Sequence, residues 1–328
     1  MVKTMLAGAV LAAAMISPAA AQTPAPGSGP AYPSRPIRII IPFTGGSATD
    51  LLARAIGPKL VERWGQQVVS DNRPGAGGTV GAEILSRATP DGHTLMLTSS
   101  ALAGSAALYP KLPYDTLKDF ASTTQIASTP LVVVVPPALG VKSVKELIAL
   151  ALKKPREINY ASAGIGSGTH YAGELFKLAA RIEVVHVPYK GTPEAITDTM
   201  AGRVHYMLAP PLTALPLIKG GRVLALAVTT AQRAPLLPDV PTLSETGLAR
   251  FEYDGWFGLF TPVRTPGRIT SQLTGEVTRI LALPDVQDRI LSLGAVPKSS
   301  TPEALHTLLR TEIETRRKVF AAAGTRVE

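Results

Sequence analysis

The chain has no cysteine in 328 residues. That absence excludes disulfides, thiol nucleophiles and thiolate metal sites. Aromatic residues make up only 5%, and they are not interleaved with basic residues as nucleic-acid surfaces require, so no nucleic acid is expected as a partner. The histidines are His93, His170, His186, His205 and His306. None pair at the spacing of a helical metal site and no carboxylate cluster completes one, so no metal is expected. A G-x-S-x-G elbow is also missing: Ser167 follows Ile165-Gly166. Gly164-Ile165-Gly166 begins like a dinucleotide fingerprint but reaches Thr169 where a third glycine belongs, with no ribose-binding acid at the usual distance. Catalysis and a cofactor are therefore not expected.

What is present begins with an export signal. Lys3 supplies the positive start, residues 5–16 are apolar, Ser17-Pro18 breaks the run, and Ala19-Ala20-Ala21 fits a small-residue cleavage site. The apolar run is too short to span a bilayer comfortably, and no later segment is long and uninterrupted enough to do so. Residues 1–21 are read as a signal peptide and residues 22–33, rich in Pro, Gly, Ala and Ser, as a flexible leader. The formal charge of +9 would favour anionic solutes. Arg316-Arg317-Lys318 is its one tight cluster and reads as a solvated helix face.

Two segments share one design, a buried strand running into a glycine-rich turn that opens a helix. The first is Ile37 to Phe43, then Thr44-Gly45-Gly46-Ser47-Ala48-Thr49-Asp50; the second is Ile158 to Ser162, then Ala163-Gly164-Ile165-Gly166-Ser167-Gly168-Thr169. Glycine lets the backbone approach a ligand, and a helix N-terminus offers unpaired N–H groups with partial positive charge. Such turns hold anions. Neither carries the Lys-Ser/Thr pair of a nucleotide P-loop. Two anion-holding turns without phosphate chemistry suggest a small anion gripped between two lobes.

Strand-like and helix-like segments alternate, which predicts an α/β fold with mostly parallel sheets. Candidate strands are 37–42, 67–71, 94–98, 131–135, 158–161, 183–187, 204–208, 223–229 and 256–260. Residues 50–64 form an amphipathic helix that Gly57-Pro58 interrupts. Ser143 to Glu146 is a capping box, and Thr192, Thr265 and Thr301 each stand before a proline as cap residues. Residues 125–137 and 251–262 look like crossings between lobes.

Here the residues resemble a family. Tyr32-Pro33-Ser34-Arg35-Pro36-Ile37, the Gly45-Gly46 turn with Asp50, and Asn72-Arg73-Pro74-Gly75-Ala76-Gly77-Gly78 are similar to the opening of the Bug-type receptors of tripartite tricarboxylate transporters. The likeness continues through Pro90-Asp91-Gly92-His93-Thr94-Leu95, Leu112-Pro113-Tyr114-Asp115, Val187-Pro188-Tyr189-Lys190-Gly191, Pro238-Asp239-Val240-Pro241-Thr242 and Thr265-Pro266. It implies a type II periplasmic-binding-protein fold: two lobes with parallel or mixed sheets, joined by two crossing strands. Lobe 1 would be residues 34–127 with 253–328, and lobe 2 residues 128–252.

The implied function is a periplasmic receptor that captures a small carboxylate in the cleft and passes it to transporter membrane subunits. The chain would act as a monomer. The alternative is a periplasmic sensor that presents its bound ligand to a membrane kinase. The resemblance places Thr44, Gly45, Gly46, Ser47, Ala48 and Thr49 on the ligand from the first turn. From the second it places Ser162, Gly164, Gly166, Ser167, Gly168, Thr169 and His170, the last being either a ligand donor or a helix-start residue. Ser99, beside Ser100, follows a strand end that should face the cleft, and Tyr189, with Thr192, sits at another strand-to-helix turn. Asp50 reads as a helix cap, Gly75 to Thr79 as a supporting turn, and Trp256 as core or hinge. Relatives that bind amino acids often carry acidic and polar residues on the strand end that here reads Val204-His205-Tyr206-Met207-Leu208-Ala209-Pro210-Pro211. Their replacement implies a carboxylate without an amine, aromatic or aliphatic, the alternative being that this strand end points into the core and never meets ligand.

Export has a direct consequence. N-terminal sequencing of protein from a periplasmic fraction should begin at Gln22; a soluble cytoplasmic pool that retains Met1 would refute it.

Overall fold

The computed structural model describes residues 32–327. The signal peptide, and the leader up to residue 31, lie outside the described residues.

Strand β1 (Ile37–Ile41) is purely aliphatic but for Arg38. Such a run suits a strand covered on both faces of a parallel sheet, and β1 pairs parallel with β2 (Val68–Asn72) and β3 (Thr94–Ser99). Strand β4 (Phe120–Thr129) pairs antiparallel with β10 (Gly255–Pro262), which also runs antiparallel to β3. With the edge strand β11 (Val296–Pro297) the first sheet has the order β11-β4-β10-β3-β1-β2. The second sheet contains β5 (Val132–Val135), β6 (Asn159–Ser162), β7 (Val185–Pro188), β8 (Tyr206–Ala209) and β9 (Leu224–Val228), in the order β7-β6-β8-β5-β9.

The two sheets follow one plan. In each, three parallel strands stand in the order second, first, third; an antiparallel strand from a crossing segment comes next, and the fourth strand follows it. The two strand–turn–helix units, β1 with α1 (Ala48–Trp64) and β6 with α5 (Gly168–Ala180), occupy equivalent places. The chain leaves the first sheet between β4 and β5 and returns between β9 and β10. Alternation decides the cores. Val133 and Val135 enter one cluster with Tyr160, Tyr206 and Leu208, while Val132 and Val134 enter another with Ala161, Met207 and Ala209.

The remaining helices are α2 (Thr79–Ser86), α3 (Ala101–Leu108), α4 (Val144–Lys153), α6 (Thr192–Met200), α7 (Pro211–Lys219), α8 (Gly267–Leu281), α9 (Pro284–Ser292) and α10 (Pro302–Ala322). None is long and apolar enough to cross a membrane. Several local expectations change. Helix α1 runs unbroken through Pro58. Pro58 and Arg54 share the exposed face, so the Arg54 carbonyl that loses its partner meets water. Thr265 does not cap α8; its hydroxyl bonds the Pro262 carbonyl instead. Thr192 is the first residue of α6, with Gly191 at the cap position. Ser143 caps α4 as expected, but Glu146 reaches back to the Lys142 N–H.

Strand β4 was not legible as a strand. Its sequence, FASTTQIAST, is largely polar, yet all of it except Ala121 is buried. Buried hydroxyls and amides need partners. Thr124 bonds the Ser300 carbonyl, the Ser300 hydroxyl accepts from the Gln125 N–H, and Thr129 reaches the Gly294 carbonyl.

Helix α10 serves both sheets. Leu305, Leu309 and Ile313 pack into the first sheet's core, whereas Phe320 joins the second sheet's. Between them Arg316 is wholly buried, which corrects its reading as solvated; Arg317 and Lys318 remain exposed. Its guanidinium lies 4.1 Å from the Tyr171 ring centroid and 5.9 Å from that of Tyr253, and Glu312 accepts from it at 2.6 Å. Two aromatic faces and a carboxylate replace the lost hydration. Removing a partner of such a buried ion pair costs about 3–5 kcal/mol. Arg316→Ala should therefore lower the unfolding free energy by roughly 3 kcal/mol, while Arg317→Ala should stay within about 0.5 kcal/mol, as read by urea denaturation.

Candidate functional site

Five helices begin on a single cavity, at the carboxyl ends of strands where open α/β sheets bind their ligands. Helix α1 presents Ala48 and Thr49, α3 its cap residue Ser100, α5 Gly168 and Thr169, α6 Thr192, and α7 its cap residue Pro210. The first N–H groups of a helix have no intrahelical acceptor. The cavity thus collects N–H donors and the positive ends of several dipoles. Its empty space is about 460 Å³, including the solvent-facing mouth. The crossing segments close it, through Thr129 and Leu131 on one side and Tyr253, Gly255, Trp256 and Phe257 on the other.

The two turns match closely. Ser47 caps α1 at φ −66°, ψ 160°, and Ser167 caps α5 at φ −62°, ψ 162°. Each hydroxyl accepts from the N–H three residues on, Asp50 and His170 respectively. Asp50 braces the first turn from below. Its carboxylate accepts from the Gly46 N–H and from Arg54, each at 2.9 Å. Burial alone would raise this carboxyl; the bonds from Arg54, Gly46 and Asn72 outweigh it and hold the carboxyl below its ordinary range.

The second turn rests on a buried polar layer. The Thr169 hydroxyl accepts from the Ala163 N–H at 2.9 Å, and the Ser162 hydroxyl accepts from the Gly164 N–H at 3.0 Å. The His170 Nδ1 accepts from the Gly166 N–H at 3.1 Å. The His170 ring stacks on His186 with centroids 4.0 Å apart and on Phe320 at 5.2 Å. Beneath them the Glu174 carboxylate takes bonds from Tyr160, Lys177 and Thr325. Ser162 and His186 are 2.6 Å apart, the spacing of a nucleophile and its base. Ser162 is wholly buried away from the cavity lining, however, so a substrate does not reach it.

Seven of the expected site residues line the cavity: Ser47, Ala48, Thr49, Ser99, Ser167, Gly168 and Thr169. Four stand behind the wall as its scaffold: Ser162, Gly164, Gly166 and His170. The rest lie outside the lining. Thr44 donates across to Glu194 on α6 at 2.9 Å, Gly45 and Gly46 are exposed, and the Tyr189 hydroxyl donates to Asp198. Sequence reasoning left out Phe43, Thr129, Leu131, Ala163, Tyr253, Gly255 and Phe257 from the lining, while Pro210, on the strand end expected near the ligand, does line it. Thr129, Leu131 and Tyr253 sit on the two segments read as crossings, and that placement was the available signal.

The electrostatics are unusual for an anion site. Among the described residues, no Asp, Glu, Lys, Arg or His side chain lines the cavity, and no group of three metal-ligating side chains occurs anywhere. The nearest formal charge that the bonds trace is Arg316, one step behind the wall. Its Nη2 is 3.4 Å from the Tyr253 hydroxyl, which is 3.0 Å from the Ser100 hydroxyl, and both of these residues line the cavity. Thr192 lines it too, and its buried hydroxyl has no partner among the described residues.

The two halves of the site approach at glycine. A Cβ on Gly104 of α3 would overlap the Gly166 carbonyl oxygen of the second turn. Gly164, at φ +123°, lies against the Gly77 backbone.

Burial holds His170 down at about 3, and Lys177 and Arg316 push it the same way; burial also lowers His186. Both rings are therefore neutral in the fold. The unfolded chain protonates them near pH 6.5, so their stabilisation is complete above that pH and is lost as the pH falls toward the folded value. At pH 5 the loss from His170 should reach about 2 kcal/mol. Urea midpoints measured between pH 7.5 and 5 should fall in the wild type, with a shallower slope in His170→Asn.

The model of the tripartite tricarboxylate transporter family receptor matches residues 52–324. A Pseudomonas sp. (strain P51) protein, the UPF0065 protein in the tcbD-tcbE intergenic region, is 38% identical over 291 residues, covering 88% of this chain and 87% of its own. The structure of the periplasmic binding protein BugD superposes with a TM-score of 0.86 at 31% identity, covering 90% of this chain and all of that one (100%). That of R. palustris Rpa4515 with adipate has a TM-score of 0.86 at 34% identity, covering 89% and 98%.

Proposed function

The chain belongs to the tripartite tricarboxylate transporter family of receptors, of the Bug type, and from that premise we propose that it captures a small carboxylate in the cavity between its two sheets and delivers it to the membrane subunits of such a transporter. Receptors of this family are solute-binding proteins rather than enzymes, with the α/β fold of periplasmic binding proteins. Export to the periplasm with cleavage after Ala21, and action as a monomer, belong to the same reading.

The observation that carries the proposal is the convergence of five helix N-termini on a cavity with no Asp, Glu, Lys, Arg or His side chain in its lining among the described residues. Orphan N–H groups and hydroxyls satisfy a carboxylate's lone pairs without a cation in contact, each charge-assisted bond contributing about 1.5–3 kcal/mol. Three or four such bonds, less the costs of closure and ordering, reach the roughly 8 kcal/mol of a micromolar complex. Adipate bound to the R. palustris relative is in keeping with that chemistry. The bodies that close on the ligand are residues 34–127 with 253–328 and residues 128–252, and the sharing of α10 between the two sheets makes that helix the strap across their hinge.

Binding by closure has a specific test. Gly104→Ala improves helix propensity in α3 but places a methyl group against the Gly166 carbonyl. The variant should keep its unliganded melting temperature and bind carboxylates at least about tenfold more weakly, a loss of about 1.4 kcal/mol. A thermal-shift panel of succinate, adipate and 3-phenylpropanoate in which no acid stabilises the wild type would overturn the receptor reading.

A further inference from the structure

We infer that the cavity selects a carboxylate that carries no ammonium group and whose body behind the carboxylate is apolar. The inference rests on the receptor reading above and narrows its ligand.

Three features of the wall lead to it. The first is the lack of an acceptor for a cation. No carboxylate lines the cavity, and the acids nearest to its turns stand outside the lining and already hold donors of their own. Asp50 is bound to Gly46 and Arg54, Glu174 to Tyr160, Lys177 and Thr325, and Glu194 to Thr44. The Thr192 hydroxyl at the wall has no partner among the described residues but carries no charge, and the hydroxyl lone pairs of the two turns are used. Those of Ser47 and Ser167 cap helices, and Thr169 accepts from Ala163. A buried ammonium group without a partner would lose its hydration and gain nothing in return.

The second feature is the sign of the field. Five helix N-termini face the space, and no helix C-terminus among the described residues lines it. A potential that favours a carboxylate disfavours a cation placed beside it. The buried Arg316, one bond behind Tyr253 and Ser100, adds to the same sign.

The third feature is the shape of what remains. Phe43, Leu131, Ala163, Pro210, Trp256 and Phe257 supply the wall away from the turns. A ligand body that meets this surface is stabilised by apolar burial, and an amine there would find no acceptor side chain, the one free side-chain polar atom of these residues being the Trp256 Nε1–H donor. Pro210 is decisive because it stands at the α7 cap position, where Asp or Asn is the common choice. Proline at that place removes both a side-chain acceptor and an N–H donor from the cavity. Ala209 is buried in the core and His205 pairs with Asn159, so Pro210 is the residue of that strand end that meets the ligand space.

The test uses matched acids that differ by the amine alone. Calorimetry on the whole mature chain would compare 3-phenylpropanoate with phenylalanine and adipate with 2-aminoadipate, with malate as a polar-bodied control. The amine-free member of a pair should bind about 100-fold more tightly or better, the discrimination expected where a buried group goes unpaired, and malate should bind more weakly than adipate. Pro210→Asp supplies an acceptor and should narrow the amine penalty at least about tenfold. Equal or tighter binding of either amine-bearing acid to the wild type, or malate as the tightest ligand, would overturn the inference while leaving the receptor reading intact. Failure of every acid to bind would remove both.

Discussion

An α-helix leaves its first N–H groups without acceptors, and much of this protein is arranged around where five of its helices do so. Each sheet carries its chain outward along parallel strands and turns it into helices at one end, so the orphan donors gather on a shared cavity. Because both sheets use the same strand order, the β1–α1 and β6–α5 turns face the space as near copies, with capping serines at almost identical dihedrals. Glycine is required where those halves meet, since Gly104 and Gly166 touch backbone to backbone. A formal cation in the wall would hold an anion too, but it would also need its own partner in the empty state. Backbone donors carry no such requirement.

The rigidity of the second turn is provided from behind. His170, His186, Ser162 and Thr169 bond to the turn's backbone or to one another, and Glu174 below gathers three donors. Each of these groups is costly to bury alone and stable in company. Helix α10 completes the arrangement by laying Phe320 against His170 and Arg316 against Tyr171 and Tyr253. Its first half belongs to the core of one sheet and its last turns to the other. The C-terminal helix therefore links the wall of the cavity to the packing between sheets.

Much of this was legible beforehand. The nine candidate strands all exist, shifted by a residue or two, because valine and isoleucine runs bounded by glycine and proline admit few alternatives. The two strand–turn–helix units were visible from glycine spacing after a buried strand. What escaped notice was polar and buried. β4 looks like a loop by composition and is a central strand by contact, since the Thr124 and Thr129 hydroxyls and the Gln125 N–H are satisfied from residues 294–300, far away in sequence. Arg316 looks like its exposed neighbour Arg317 until two tyrosines from distant segments are brought against it.

The same division runs through the site. Local sequence by itself determined that two glycine-rich turns would open helices, that no thiol chemistry was available, and that the chain carries the motifs of one receptor family along its length; the expected cap Asp50 gave way to Ser47. Those properties depend on residues within a turn or two of one another, and local sterics and hydrogen bonding settle them. Only the tertiary structure decided which residues line the cavity. Ser162, Gly164, Gly166 and His170 belong to the same turn as Ser167, Gly168 and Thr169, yet they support the wall while the latter three form it. Phe43, Thr129, Pro210 and Tyr253 come from four separate segments and share that wall. Which side of a turn is buried depends on what packs against it, and that information resides in residues a hundred or more positions away.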